Sequence, residues 1–166
     1  MTTIAADGKI IACDSQITVD VGDTRFKTFG HKYRMVKTPH GMSLVLVTGD
    51  YRALDRVLPD IEAGKPIKRK RYEGEAHIVV VTPGKIKQYY SDGGVADDLE
   101  FACGSGDVIA TTILELKGTA MQAVATAVKL DLLSGGPVRG WRIKDLSEVA
   151  AVAEVPTLSR CPTRKG

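Results

Sequence analysis

The sequence predicts an α+β domain of paired strands packed as sheets against flanking helices. Two observations carry this. β-rich runs occur in pairs separated by tight-turn dipeptides, at Asp7-Gly8 and again at Pro83-Gly84. Between and after them, three stretches repeat their apolar residues at helical spacing. At 166 residues the chain fits one domain, of a size that buries about 70% of its unfolded surface.

In chain order, Thr2 to Ala6 and Lys9 to Cys13 flank Asp7-Gly8 as a hairpin, so the chain begins on a sheet strand. Ile17 to Val21, a turn at Gly22-Asp23 and Thr24 to Phe29 follow. Gly30 to Val36 reads as the start of another strand. After the turn Thr38-Pro39-His40-Gly41, the apolar run Met42 to Thr48 suits a strand buried on both faces. Ala53, Leu54, Val57, Leu58 and Ile61 predict an amphipathic helix over 50–63, capped by Asp50, stopped at Gly64 and interrupted or ended early by Pro59.

Lys65 to Gly74 is polar and basic and reads as a surface loop, followed by the hairpin His77 to Thr82 with Lys85 to Tyr90. Val95 to Cys103 leads into Gly104-Ser105-Gly106, a turn that either binds an anion at the next helix or simply connects tightly. Val108, Ile109, Ile113, Leu114 and Leu116 form the second helical stripe. Thr119 to Leu133 is a third helix ending at Ser134-Gly135-Gly136-Pro137. Val138 to Ile143 is a closing strand; Ser147 to Val155 fits a strand or a short helix. The domain is expected to span 1–156, with a mobile tail over 157–166.

Net charge is only +3, and the basic residues cluster in short runs, so nucleic-acid binding is disfavoured. Cys13, Cys103 and Cys161 are odd in number and lack metal-ligand spacing, which suits a reducing cytoplasm with two core thiols and one in the tail. No signal-peptide pattern and no run of about 18 apolar residues occurs, so neither secretion by that route nor membrane spanning is expected. No metal or cofactor is expected.

Chemistry centres on the first residues. Only Met1 precedes Thr2, and its removal would leave Thr2 with a free α-amine and a β-hydroxyl, an activated pair for acyl transfer. The tight hairpin brings Asp14 close to Thr2. Taken alone, Asp14 is also an ordinary turn residue and Lys32 an ordinary solvated edge charge.

Six stretches, in order, resemble the catalytic β-type subunits of proteasomes and the bacterial HslV peptidase: Thr2-Thr3-Ile4, Ala12-Cys13-Asp14-Ser15-Gln16, His31-Lys32, Thr48-Gly49-Asp50, Gly104-Ser105-Gly106 and Asp131 to Gly136. The resemblance spans roughly Thr2 to Arg142. It implies a four-layer αββα sandwich of two antiparallel sheets between helix layers, and threonine-type endopeptidase activity within a self-compartmentalised homo-oligomeric ring. Thr2 would be the nucleophile, its α-amine the base, Asp14 and Lys32 the buried acid and lysine, and Ser105, Asp131 and Ser134 the groups hydrogen-bonding around the amine. The oxyanion would be held by the backbone N–H of Leu46, where the family has glycine. Cys13-Asp14-Ser15-Gln16 stands where the HslV type has Gly-Asp-Gly-Gln.

The partners so implied are other copies of the chain and a polypeptide substrate, with an ATP-dependent unfoldase as a further partner the family admits. Two alternatives stand beside the peptidase. The same amine and hydroxyl suit an amidohydrolase of small amides, and Leu46 motivates a catalytically silent structural relative.

Overall fold

Two antiparallel five-stranded sheets, a separate two-stranded hairpin and three α-helices form a mixed α/β fold in the computed structural model, which describes residues 2–21 and 24–149. β1 (Thr3–Asp7) and β2 (Ile10–Cys13) pair with Ile4 opposite Cys13 and Ala6 opposite Ile11. The predicted hairpin is present, and Asp7 explains it. One carboxylate oxygen of Asp7 accepts the Lys9 and Ile10 N–H groups around Gly8, whose φ is +81°. The other accepts Ala120 N–H at 2.8 Å and so fastens the hairpin to a helix N-terminus.

β3 (Gln16–Val21) and β4 (Thr24–Phe29) form the separate hairpin. β5 (Tyr33–Thr38) and β6 (Gly41–Gly49) begin the second sheet, which continues through β7 (Ala76–Thr82), β8 (Lys85–Tyr89) and β9 (Val95–Ala96) in sequential order. The first sheet is completed by β10 (Glu100–Gly104), β11 (Arg139–Arg142) and β12 (Glu148–Val149), in the order β10-β1-β2-β11-β12. β1 therefore has a partner on each side.

Strand alternation sorts the core. Ile4, Ala6, Ile11 and Cys13 of the first sheet share one apolar cluster with Leu44, Leu46, Val79 and Val81 of the second. Tyr33 and Trp141, one from each sheet, meet there with ring centroids 4.6 Å apart. The opposite face of the first sheet, with Ala5 and Ala12, packs on α2 (Asp107–Glu115) and α3 (Ala120–Leu130) through Ala110, Met121, Ala123 and Val124. Val45, Val47 and Ile78 of the second sheet pack on Ala53, Leu54, Val57 and Ile61 of α1 (Arg52–Glu62).

Several expectations are corrected. Pro59 lies inside α1 and does not end it; the four buried apolar residues of α1 offset the missing N–H. Tyr51 occupies the N-cap position, while the Asp50 carboxylate accepts Arg52 N–H at 3.0 Å. The 65–74 stretch is not merely surface loop. It holds a 3-10 turn, Arg69–Arg71, and buries Ile67 and Tyr72 in the α1 core, with Arg71 paired to the buried Asp60 at 3.0 Å. The 95–103 run splits into β9 and β10, which belong to different sheets. α3 stops at Leu130, three residues early, because residue 131 turns out of the helix into extended backbone. Its start is a capping box between Thr119 and Gln122. The turn at 22–23, the remainder of the last predicted element at 150–155, Cys161 and the expected tail lie outside the described residues. No helix among the described residues is long and apolar enough to cross a membrane.

Candidate active site

The hairpin register sets Asp14 beside Thr3 rather than Thr2. Thr3 N–H donates to Asp14 Oδ1 at 2.9 Å, and Asp14 N–H donates to the Thr3 carbonyl at 3.2 Å. The second oxygen of Asp14 accepts Gly135 N–H at 2.8 Å. Asp14 is only 1% exposed, and burial pushes its carboxyl above the ordinary value despite the Gly135 and Thr3 amides and the Lys32 charge, which pull the other way.

Lys32 is 3% exposed, not a solvated edge charge. Burial pulls its ammonium below the ordinary value, and the Asp14 carboxylate opposes that shift. The two opposite charges act on each other against the burial that shifts both groups toward their neutral forms. The Lys32 carbonyl accepts Val47 N–H at 3.0 Å, which fixes the loop before β5 to the end of β6.

A second cluster forms where β10 meets α2 and where α3 ends. Asp131 Oδ2 accepts the Ser105 and Ser134 hydroxyls, both at 2.6 Å, and its Oδ1 accepts Leu133 N–H at 3.1 Å. Burial alone would raise the Asp131 carboxyl; the two hydroxyls and the amide outweigh it and hold the group below the ordinary value. Ser134 Oγ lies 2.7 Å from Thr3 Oγ1, which also accepts Gly106 N–H at 3.0 Å. In the Gly104-Ser105-Gly106 turn the Gly106 amide is therefore already engaged within the protein.

Ser105, Asp131 and Ser134 lie together, and the threonine bonded to them is Thr3, through its hydroxyl, where the expectation was the Thr2 amine. Thr2 is fully buried, and its hydroxyl has no hydrogen-bond partner among the described residues. Its carbonyl rests against Gly104, where φ is +102° and a Cβ would stand 1.7 Å from the oxygen. On β1, Thr3 shares the face of Ala5 and α2/α3; carried back one residue, the alternation gives Thr2 the face of Ile4, toward the core shared with Leu46.

Leu46 is fully buried in that core and pairs with Tyr33 and Val79. N–H groups alternate along a strand. Because Val47 donates toward Lys32 and Asp50 donates to the Glu75 carbonyl beside β7, Leu46 N–H is directed at β7, away from Lys32. That direction tells against Leu46 as a donor to the Lys32 side. Gly49 N–H is directed to that side, beyond the start of β5.

Sequence reasoning missed Thr3 and the Gly106 and Gly135 amides. The Thr2-Thr3 repeat carried the signal, since adjacent strand residues face opposite ways and serve different partners. Among the described residues no group of three or more His, Cys, Asp or Glu is placed to hold a metal ion. Cys13 and Cys103 are free thiols pushed well above the ordinary value by burial, which makes them poor nucleophiles. No family model matches the chain, and no curated protein matches it in sequence.

Proposed function

We propose that the chain is a threonine-type endopeptidase of the N-terminal nucleophile kind, with the finer architecture of a four-layer αββα sandwich. The observation that carries this reading is the contrast between two neighbours. Thr3 Oγ1 is engaged by Gly106 and Ser134, whereas Thr2 Oγ1 is buried with no partner among the described residues. A buried unsatisfied hydroxyl costs about 1–3 kcal/mol, and such a cost is commonly found where a group is kept for chemistry.

After removal of Met1, the Thr2 α-amine takes the hydroxyl proton as Oγ attacks the scissile carbonyl carbon. Gly49 N–H replaces Leu46 N–H in this reading as the backbone donor to the oxyanion. The proton then passes to the leaving amine, and the C–N bond breaks to give an ester on Thr2. Water, deprotonated by the same amine, hydrolyses the ester and releases the acid. Lys32, whose charge the Asp14 carboxylate favours, favours the negative oxygen and keeps the amine unprotonated by like-charge proximity.

The proposal extends to a homo-oligomeric ring in the cytoplasm that encloses the site and acts on polypeptides, served by an ATP-dependent unfoldase. Thr2→Ala protein, with Met1 removal checked by intact mass, is expected to lose all peptide hydrolysis. Unchanged hydrolysis in that variant would sink the reading.

A further inference from the structure

We infer that Thr3 is a positioning residue, holding the peptide unit that carries Thr2 so that the Thr2 amine and hydroxyl keep one orientation. The inference rests on Thr2 being the nucleophile and adds a residue that acts through it.

Proton counting fixes the direction of the hydrogen bonds. Asp131, ionised at neutral pH, only accepts. Ser105 and Ser134 each have one hydroxyl proton, and both point at Asp131 Oδ2 at 2.6 Å. Ser134 Oγ has no proton left for Thr3, so Thr3 donates to Ser134 across their 2.7 Å contact and accepts from Gly106 N–H at 3.0 Å. The Thr3 hydroxyl thus makes one donation and one acceptance in a directed chain that ends on a carboxylate, the stronger kind of acceptor.

The backbone of the same residue is held equally. Thr3 N–H and C=O both bond Asp14, and the Thr2 carbonyl lies against Gly104. A peptide unit is planar, so fixing the N–H and carbonyl of the Thr2–Thr3 unit leaves Thr2 only its own ψ and a β-branched, restricted χ1. Thr3 joins two groups: its N–H reaches Asp14 and its hydroxyl the Ser105–Asp131–Ser134 cluster. Without the hydroxyl, the start of β1 is anchored to only one of them.

The test compares Thr3→Val, which keeps the shape and removes the hydroxyl, with Thr3→Ser, which restores it. Val57→Ala, in the α1 core, serves as a destabilised control. Met1 removal is checked by mass in each, and peptide hydrolysis is followed for kcat and KM across pH. Thr3→Val is expected to lose about ten- to a hundredfold in kcat with KM within about twofold, the cost of a misplaced reacting group. Thr3→Ser should recover most of the loss, and Val57→Ala should keep its kcat. Should Thr3→Val not fold, Thr3→Ala, which removes the same hydroxyl and leaves Ser134 in place, carries the same expectation. Wild-type kcat in Thr3→Val, or no recovery in Thr3→Ser, would overturn the positioning role alone. A wild-type protein that hydrolyses no peptide would overturn the nucleophile reading with it.

Discussion

The hydroxyl oxygens of Thr3 and Ser134 lie 2.7 Å apart although 131 positions separate them in the chain. Their contact ties the first strand to the turn after α3, and it puts the Thr2 peptide between Asp14 and an Asp–Ser cluster.

Asp14 should be the costliest polar residue of this region to lose. Asp14→Ala leaves Lys32 without its counter-charge and strips the acceptor from the Thr3 and Gly135 amides. A loss of about 2–4 kcal/mol in urea unfolding is expected, chiefly from the two amides left without an acceptor. Removing Lys32 as well, in Asp14→Ala/Lys32→Met, should recover part of it, because the charge is then gone. A double variant no more stable than the single one would contradict the pairing.

Gly104 separates steric contact from backbone conformation. Gly104→Ala drives a Cβ into the Thr2 carbonyl at a φ of +102° and should cost more than about 4 kcal/mol or prevent folding. Gly84→Ala has a similarly left-handed φ of +77° but meets nothing within 4 Å, so about 1–2 kcal/mol is expected. Equal losses in thermal melting would contradict the close approach.

The Asp131 carboxyl is held below its ordinary value of 3.8. A depressed folded value means that the carboxylate adds stability above the unfolded value, and this stability is lost as pH falls through the folded one. Asp131→Asn should therefore be less stable than wild type at neutral pH, with the gap narrowing below about pH 3.8 as the wild-type carboxylate is protonated. A gap that stays constant into acid would contradict the assignment. Asp50 and Asp145, which are also depressed, are common to both proteins and cancel.

Much of this fold was legible because its signals are local. Asp7-Gly8 forms its turn with its own neighbours, and the run from Met42 is apolar because β6 is buried on both faces. What could not be read depended on distant partners. Pro59 reads as an interruption or early end of the helix, and the apolar surface that α1 buries on the second sheet carries the helix through it. Tyr72 sits in a basic stretch that looks solvated until α1 and β8 surround it. At the site, the burial of Asp14 and Lys32 and the meeting of Ser105, Asp131 and Ser134 depend on partners far away in the chain. The hairpin register, which gives Asp14 to Thr3, and the strand alternation, which turns Leu46 N–H toward β7, required coordinates.

The most direct measurement is to incubate the purified protein with a peptide epoxyketone, which captures an N-terminal amine and hydroxyl together, and to locate the adduct by mass spectrometry. Loss of Met1 and an adduct on Thr2, absent in Thr2→Ala and retained in Thr3→Ser, is the expected result. Retention of Met1 with no adduct, or an adduct on another residue, would contradict the assignment of Thr2 as the nucleophile.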